Sequence, residues 1–179
     1  MARRLLTLPE VRLAGAADAE AIRAFRCGHH PWYVQDAAKV IRRAASVLGT
    51  PAAIMHRTRV LLFENEARLI AVSVVQQADE SPPPESQTAD LVVLAVHEDV
   101  QGGWLRQEPP RPLCVAALEE TVRFAAREGY ERVIAIAADQ NKKSARLITR
   151  AGFARVAQLD GDYALYQAVL PALEAHSPR

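Results

Sequence analysis

Residues 91–103 read Leu-Val-Val-Leu-Ala-Val-His-Glu-Asp-Val-Gln-Gly-Gly. The first six are an unbroken apolar run, the pattern of a strand buried on both faces in the middle of a sheet. His97 and Glu98 close that strand. Positions 99–112 then carry Gly102, Gly103, Pro109, Pro110 and Pro112 and predict a loop. Beyond it, Leu113, Ala117, Leu118, Thr121, Val122 and Ala125 recur at helical spacing over 113–128, and Gly129 stands where a helix terminates. Positions 132–138, Arg-Val-Ile-Ala-Ile-Ala-Ala, predict a second buried strand. Strand, helix and strand make one right-handed crossover, which implies that the two strands run parallel.

Working outward, 141–150 predicts a short helix ended by Ala151-Gly152. Strands at 153–159 and 163–170 flank an Asp160-Gly161-Asp162 turn. On the other side, 59–64 and 68–77 are rich in β-branched and aromatic residues and predict an antiparallel hairpin turning at 64–67. The polar stretch 79–90, with Pro82, Pro83 and Pro84, predicts a loop. Upstream of the hairpin, Val34, Ala37, Ala38, Ile41 and Ala45 mark a helix over 32–48, ended by Gly49-Thr50-Pro51. A helix over 17–25 and a short strand over 11–13 precede it. The tail from about residue 171 is expected to be loose. The order is β, α, α, β, β, β, α, β, α, β, β. It describes an α/β fold with a mixed central sheet flanked by helices, as one domain over 1–179 with no interdomain linker and no internal repeat.

The composition supports a folded core, since 50% of the 179 residues are hydrophobic. Twenty-two Lys and Arg balance 21 Asp and Glu, for a net charge of +1, so nothing drives the chain broadly toward DNA or a membrane surface. Two cysteines, Cys27 and Cys114, read as free thiols. His29 and His30 follow Cys27 closely, but no second ligand pair stands at zinc-like spacing, so no metal site is expected. The N-terminus lacks a long apolar targeting core, and a cytoplasmic protein is the expectation. Abundant Ala and Arg with scarce Lys suggest a bacterial, GC-rich coding context.

The element order resembles the GCN5-related N-acetyltransferase (GNAT) superfamily over about residues 10–170. The resemblance is sharpest over 91–153. There 91–102 is similar to the family's central strand and pyrophosphate loop, and 139–153 to its second signature, an Asn near a strand end with Gly-Phe after a short helix. Phe25-Arg-Cys-Gly28 before an Ala-rich helix also faintly resembles the toxin-like subset that acylates aminoacyl-tRNA.

The resemblance implies transfer of an acetyl group from acetyl-CoA directly to a primary amine. The amine would belong to a small molecule, a peptide or an aminoacyl-tRNA, and a homodimer is compatible with it. The cofactor-side candidates it implies are Val96, Gln101, Gly102, Gly103, Leu113, Cys114 and Asn141. The loop departs from the family form, because 104–112 intervene before the helix and Pro112 lacks an N–H. Arg106 and Arg111 are the candidates to compensate with side-chain phosphate contacts. Lys142 and Lys143 stand nearby in sequence. Asn141 has a second reading as a helix N-cap, and Gly152 and Phe153 read as turn and core.

Glu98 is the candidate base for the amine proton, with His97 expected to be structural. Ile148 stands where the family often has a Tyr that protonates the leaving thiolate. Tyr163 or Tyr166 on the last strand, expected to share one face of it, are the candidates to replace that hydroxyl. Cys27, His30, Trp32 and Tyr33 are the acceptor-side candidates, with ordinary packing as their other reading. A Cys-His nucleophile lacks an orienting carboxylate, and direct transfer does not require one. The competing reading is a noncatalytic protein on the same scaffold, serving as cofactor sensor, regulatory partner or structural subunit.

Overall fold

Period-two burial builds the centre of the molecule. Leu61 and Phe63 pack into one hydrophobic cluster, and Val60 and Leu62, alternating with them, pack into another. The sheet that separates the clusters has seven strands in a computed structural model that describes residues 5–27, 33–55, 57–78 and 87–171.

The chain runs β1 (Leu5–Leu6), β2 (Glu10–Leu13), α1 (Ala19–Ala24), α2 (Tyr33–Val47), α3 (Pro51–Met55), β3 (Arg59–Asn65), β4 (Arg68–Gln77) and β5 (Thr88–Val96). It continues through β6 (Trp104–Leu105), β7 (Arg111–Pro112), α4 (Leu113–Arg127), β8 (Arg132–Ala138), α5 (Lys142–Arg150), β9 (Ala154–Leu159) and β10 (Tyr163–Val169). Turns of 3₁₀ helix occupy Ala16–Asp18 and Glu98–Val100.

The main sheet has the order β2-β3-β4-β5-β8-β10-β9. Its one parallel pairing is β5 with β8, and its other pairings are antiparallel. The mixed α/β architecture is therefore the expected one, with the crossover through α4 joining parallel neighbours.

One face carries α4 and α5, whose Leu113, Leu118, Phe124 and Ile148 pack with Ile70, Leu91, Val133 and Tyr166. The opposite face carries α1 and α2 over β3 to β5, with Ile22 and Ile41 against Val60, Leu62 and Val72. Gly49 ends α2 at φ +74°, and a Cβ there would come 3.1 Å from the Ala16 Cβ, so the chain passes close only because the residue is glycine. No helix among the described residues is long and apolar enough to cross a membrane.

Several expectations need correction. The central strand starts at Thr88, because Ala78 donates its N–H to the Thr88 carbonyl and extends the β4 ladder beyond the apolar run. Pro51 opens α3 after the Gly49-Thr50 stop, as Pro is tolerated in a helical first turn. The first helix is preceded by a 3₁₀ turn and is shorter than expected. The 99–112 loop contains the hairpin β6–β7, and Leu5–Leu6, too short to show any period, pairs parallel with β6. Residues 79–86 and the tail beyond 171 lie outside the described residues.

Candidate functional site

β5 and β8 pair over only four positions, Thr88↔Arg132 to Leu91↔Ala135. Both strands continue past that point. β4 holds β5 as far as Val96, and β10 holds β8 as far as Ala138. The strands therefore diverge, leaving an opening between Val92–Val96 and Ile136–Ala138. The register explains the divergence. Val75 pairs with Leu91 and Val74 with Val93, so Val92 is an extra residue in β5, and such a bulge bends and twists its strand. The opening lies above Val133, which belongs to the paired half of the seam.

The topology gathers the sequence candidates at this end of the sheet. β5 and β8 both end here, and α4, α5 and β10 begin here. The His97 N–H bonds the Ile70 carbonyl at 2.8 Å, and the Glu98 N–H bonds the Arg26 carbonyl at 2.9 Å. A bridge from Cys27 to His97 completes the link, so the segment after α1 is stitched to the end of the central strand. The Phe25 ring meets His97 edge-on, with centroids 5.4 Å apart. His97 Nδ1 accepts the Asp99 N–H at 3.3 Å, which leaves the neutral ring's proton on Nε2. Arg68 ion-pairs with Asp99 and sits 3.4 Å from the same Nδ1. Arg68 was missed from sequence because only the β4–β5 pairing, with Ala71 opposite Val96, brings it to His97, and Asp99 was missed although it stands two residues from His97 in the chain.

Glu98 is half-buried beside Cys27. Burial pushes the Cys27 thiol up, with Arg42 opposing and Glu98 reinforcing the shift. Burial likewise raises the Cys114 thiol at the head of α4, against hydrogen bonds from the Val115 and Cys114 N–H groups. Both cysteines are protonated at neutral pH and are poor nucleophiles.

The glycine loop is closed on itself. Gly103 N–H donates to the Val100 carbonyl, and Leu113 N–H donates to the Gly103 carbonyl, each at 2.9 Å. Gln101 and Gly102 are exposed, Gly102 at φ +71°. Trp104 is half-buried in β6, in register with Leu5 and Pro112. Arg106 is exposed, and Arg111 ion-pairs with Glu119 on α4. The Asn141 side chain caps α5 by accepting the Ser144 N–H at 3.1 Å, while Lys142 and Lys143 are exposed in its first turn. Ile148 and Phe153 are core residues.

Tyr163 and Tyr166 do not share a face. They are three residues apart, so strand alternation separates them: Tyr166 is 6% exposed in the core under the helices, and Tyr163, at the mouth of the opening opposite Ala138, is 37% exposed. Cys27 is the acceptor-side candidate whose side chain is described. His30 and Trp32 lie outside the described residues, and Tyr33 is described only as the start of α2.

These donors fit the two ends of coenzyme A unequally. The β8-facing backbone edge of Val92–Val96 has no ladder partner in β8, and an extended amide-bearing arm can pair with such an edge as an added strand. The diphosphate end has the first turn of α4, but the Gly103 and Leu113 amides already have partners.

No protein-family model and no curated protein matches the sequence. Solved structures do match, over most of the chain. The GNAT domain of S. lividans PAT aligns over 90% of this chain and 90% of its own, at TM-score 0.68 and 17% identity. PaiA N-acetyltransferase from Thermoplasma acidophilum, solved in complex with coenzyme A, covers 90% of this chain and 99% of its own, at TM-score 0.63 and 11% identity. A GNAT-family acetyltransferase from Listeria monocytogenes covers 90% and 95%, at TM-score 0.60 and 16% identity. These likenesses, spread over distinct proteins and singling out no toxin-like subset, establish that the chain has the GNAT fold.

Proposed function

We propose that this protein is an acetyl-CoA-dependent N-acyltransferase that passes the acetyl group directly to a primary amine. The observation that carries this reading is the opening created where the β5–β8 pairing stops at Leu91↔Ala135. It offers an unpaired strand edge to a pantetheine arm beside the first turn of α4. In PaiA, a protein of the same fold, coenzyme A is bound.

Acetyl-CoA would supply an activated thioester. The chain's part is to hold it, neutralise the amine and steady the charge that develops on attack. Glu98, half-buried just past the end of β5, would take the amine proton directly or through water. Tyr163, at the mouth of the opening, is the hydroxyl on hand for the departing thiolate. The raised cysteine thiols favour direct transfer over a cysteine-bound intermediate. Acceptors remain amines of a small molecule, a peptide or an aminoacyl-tRNA, entering on the side of Cys27 and α2.

Calorimetry of acetyl-CoA against free coenzyme A tests the cofactor step. Micromolar binding supports the reading, and no binding at millimolar cofactor by folded protein overturns it. Given binding and an amine acceptor, Glu98→Gln should lower kcat by about a hundredfold while leaving acetyl-CoA affinity unchanged. An unaltered kcat would remove Glu98 from the mechanism.

A second reading has its own observation. The internally bonded Gly103 and Leu113 amides, with Arg111 held by Glu119, favour a noncatalytic GNAT-fold protein acting as a sensor, regulatory partner or structural subunit. The same titration assigns a protein that ignores the cofactor at millimolar concentration to the regulatory or structural role, and a protein that binds acetyl-CoA yet turns over no amine acceptor is the sensor.

A further inference from the structure

The hairpin β6–β7 that fills the glycine loop is fastened from two sides. On one side β1 pairs parallel with β6, in register Leu5↔Trp104 and Leu6↔Leu105. The Arg106 N–H donates to the Leu6 carbonyl at 2.7 Å, and Asn65 Nδ2 donates to the Thr7 carbonyl at 3.2 Å. Leu6, 7% exposed, is buried in the main core, as are Leu105 and Leu113 at 1% each. On the other side Arg111 of β7 pairs with Glu119 of α4. Closed in this way, the loop spends its Gly103 and Leu113 donors on its own carbonyls.

We infer that β1 is an autoinhibitory strap, which holds the loop in a state that binds a diphosphate-bearing cofactor weakly and whose release strengthens that binding. The inference rests on the coenzyme reading above and deepens it. A diphosphate at the head of α4 needs N–H donors, and the Leu113 amide becomes available only when Gly103 moves away from it. Gly103 leads directly into β6, so its movement drags the strand that β1 holds. β1 is suited to letting go, because among the described residues its hold is a two-residue ladder, three further hydrogen bonds at Leu6 and Thr7 and one buried leucine. Strap release and cofactor binding are then coupled, and the coupling is reciprocal.

Calorimetry with acetyl-CoA on the full chain tests this. Leu6→Asp sets a charge against the core position that anchors the strap. Leu8→Asp, at a residue 62% exposed and outside β1, is the control. Folded Leu6→Asp should bind about tenfold more tightly than wild type, because the competent fraction rises, and Leu8→Asp should match wild type. Equal or weaker binding by Leu6→Asp overturns the strap while leaving wild-type binding as support for the coenzyme reading. No binding by either overturns both.

Should Leu6→Asp fail to fold, the pair Leu5→Cys and Trp104→Cys joins register partners. The oxidised protein should bind more weakly than the same protein after reduction, and equal affinity in the two states overturns the strap. A third readout needs no variant. Acetyl-CoA should speed hydrogen exchange at the Arg106 amide, which the Leu6 carbonyl protects, and slower exchange there contradicts the coupling.

Discussion

Glu66 and Ala67 hold φ of +51° and +58° between paired Asn65 and Arg68. Two left-handed residues in succession make the tight hairpin turn whose twist matches the flanking strands. Asn and Gly take that conformation readily, whereas Glu and Ala carry a Cβ that crowds the carbonyl at a cost of about 1 kcal/mol each. Glu66→Asn with Ala67→Gly should therefore raise the unfolding free energy by about 1 kcal/mol, after allowing for the greater freedom of glycine in the unfolded chain. Urea denaturation checks this, and an unchanged midpoint would mean that neighbours already relieve the strain. The turn's position was legible in the sequence, but its handedness was not, since neither central residue advertises a positive φ. The same holds at the candidate site. Gln101, Gly102 and Gly103 could be placed in a loop before a helix, yet the partners of the Gly103 and Leu113 amides depend on backbone geometry that residue names do not carry.

Among the elements, α4, β8 and α5 end within a residue or so of their expected limits, because β8 is a near-continuous apolar run and the two helices have a clear period with Gly129 or Asn141 near a boundary. β1, β6 and β7 have two residues each, too few to show any period, and the β1–β6 pairing joins segments 99 residues apart in sequence, Leu5 with Trp104. At the β2 edge, tertiary charge does what local pattern does not. Arg12 reaches Asp18 at 2.7 and 2.9 Å and Glu64 at 2.9 Å through two nitrogens, tying the 3₁₀ turn before α1 to β2 and β3.

The Arg12 guanidinium holds the Asp18 carboxyl below its usual range, against partial burial, with the Gly15 N–H adding to the effect. A depressed carboxylate stabilises the fold fully above its unfolded pKa of about 3.9 and loses that contribution as pH falls through the lower folded value. Asp18→Asn should cost about 1 kcal/mol at neutral pH, a modest figure because Arg12 is 38% exposed and screened by solvent. The gap between wild type and variant should persist down to about pH 4 and shrink below it. Urea midpoints at pH 7, 5 and 3 give the comparison, and a gap independent of pH would assign the cost to packing.

At the scale of the whole molecule, the opening at the candidate site also leaves the sheet with a narrow waist. Four residue pairs join β2-β3-β4-β5 to β8-β10-β9. On the α2 side the core stops at the waist, and beyond it Ile136 and Val169 stand 51% and 74% exposed. Backbone pairing alone would let the halves come apart separately. The other face argues against this, because one cluster runs unbroken from Leu61 and Ile70 through Leu113 and Leu118 of α4 to Val133, Ala164 and Tyr166. Helix α4 thus fastens the two halves while its first turn faces the opening, so global stability and the shape of the candidate site depend on the same side chains. Leu118, 1% exposed, sits in that shared cluster. Leu118→Ala should cost about 3 kcal/mol by leaving a cavity between the halves. Because the cluster is shared, unfolding should remain a single transition, with tryptophan fluorescence and far-ultraviolet circular dichroism giving the same midpoint. Two separated midpoints would show that the waist, rather than the α4 core, governs cooperativity.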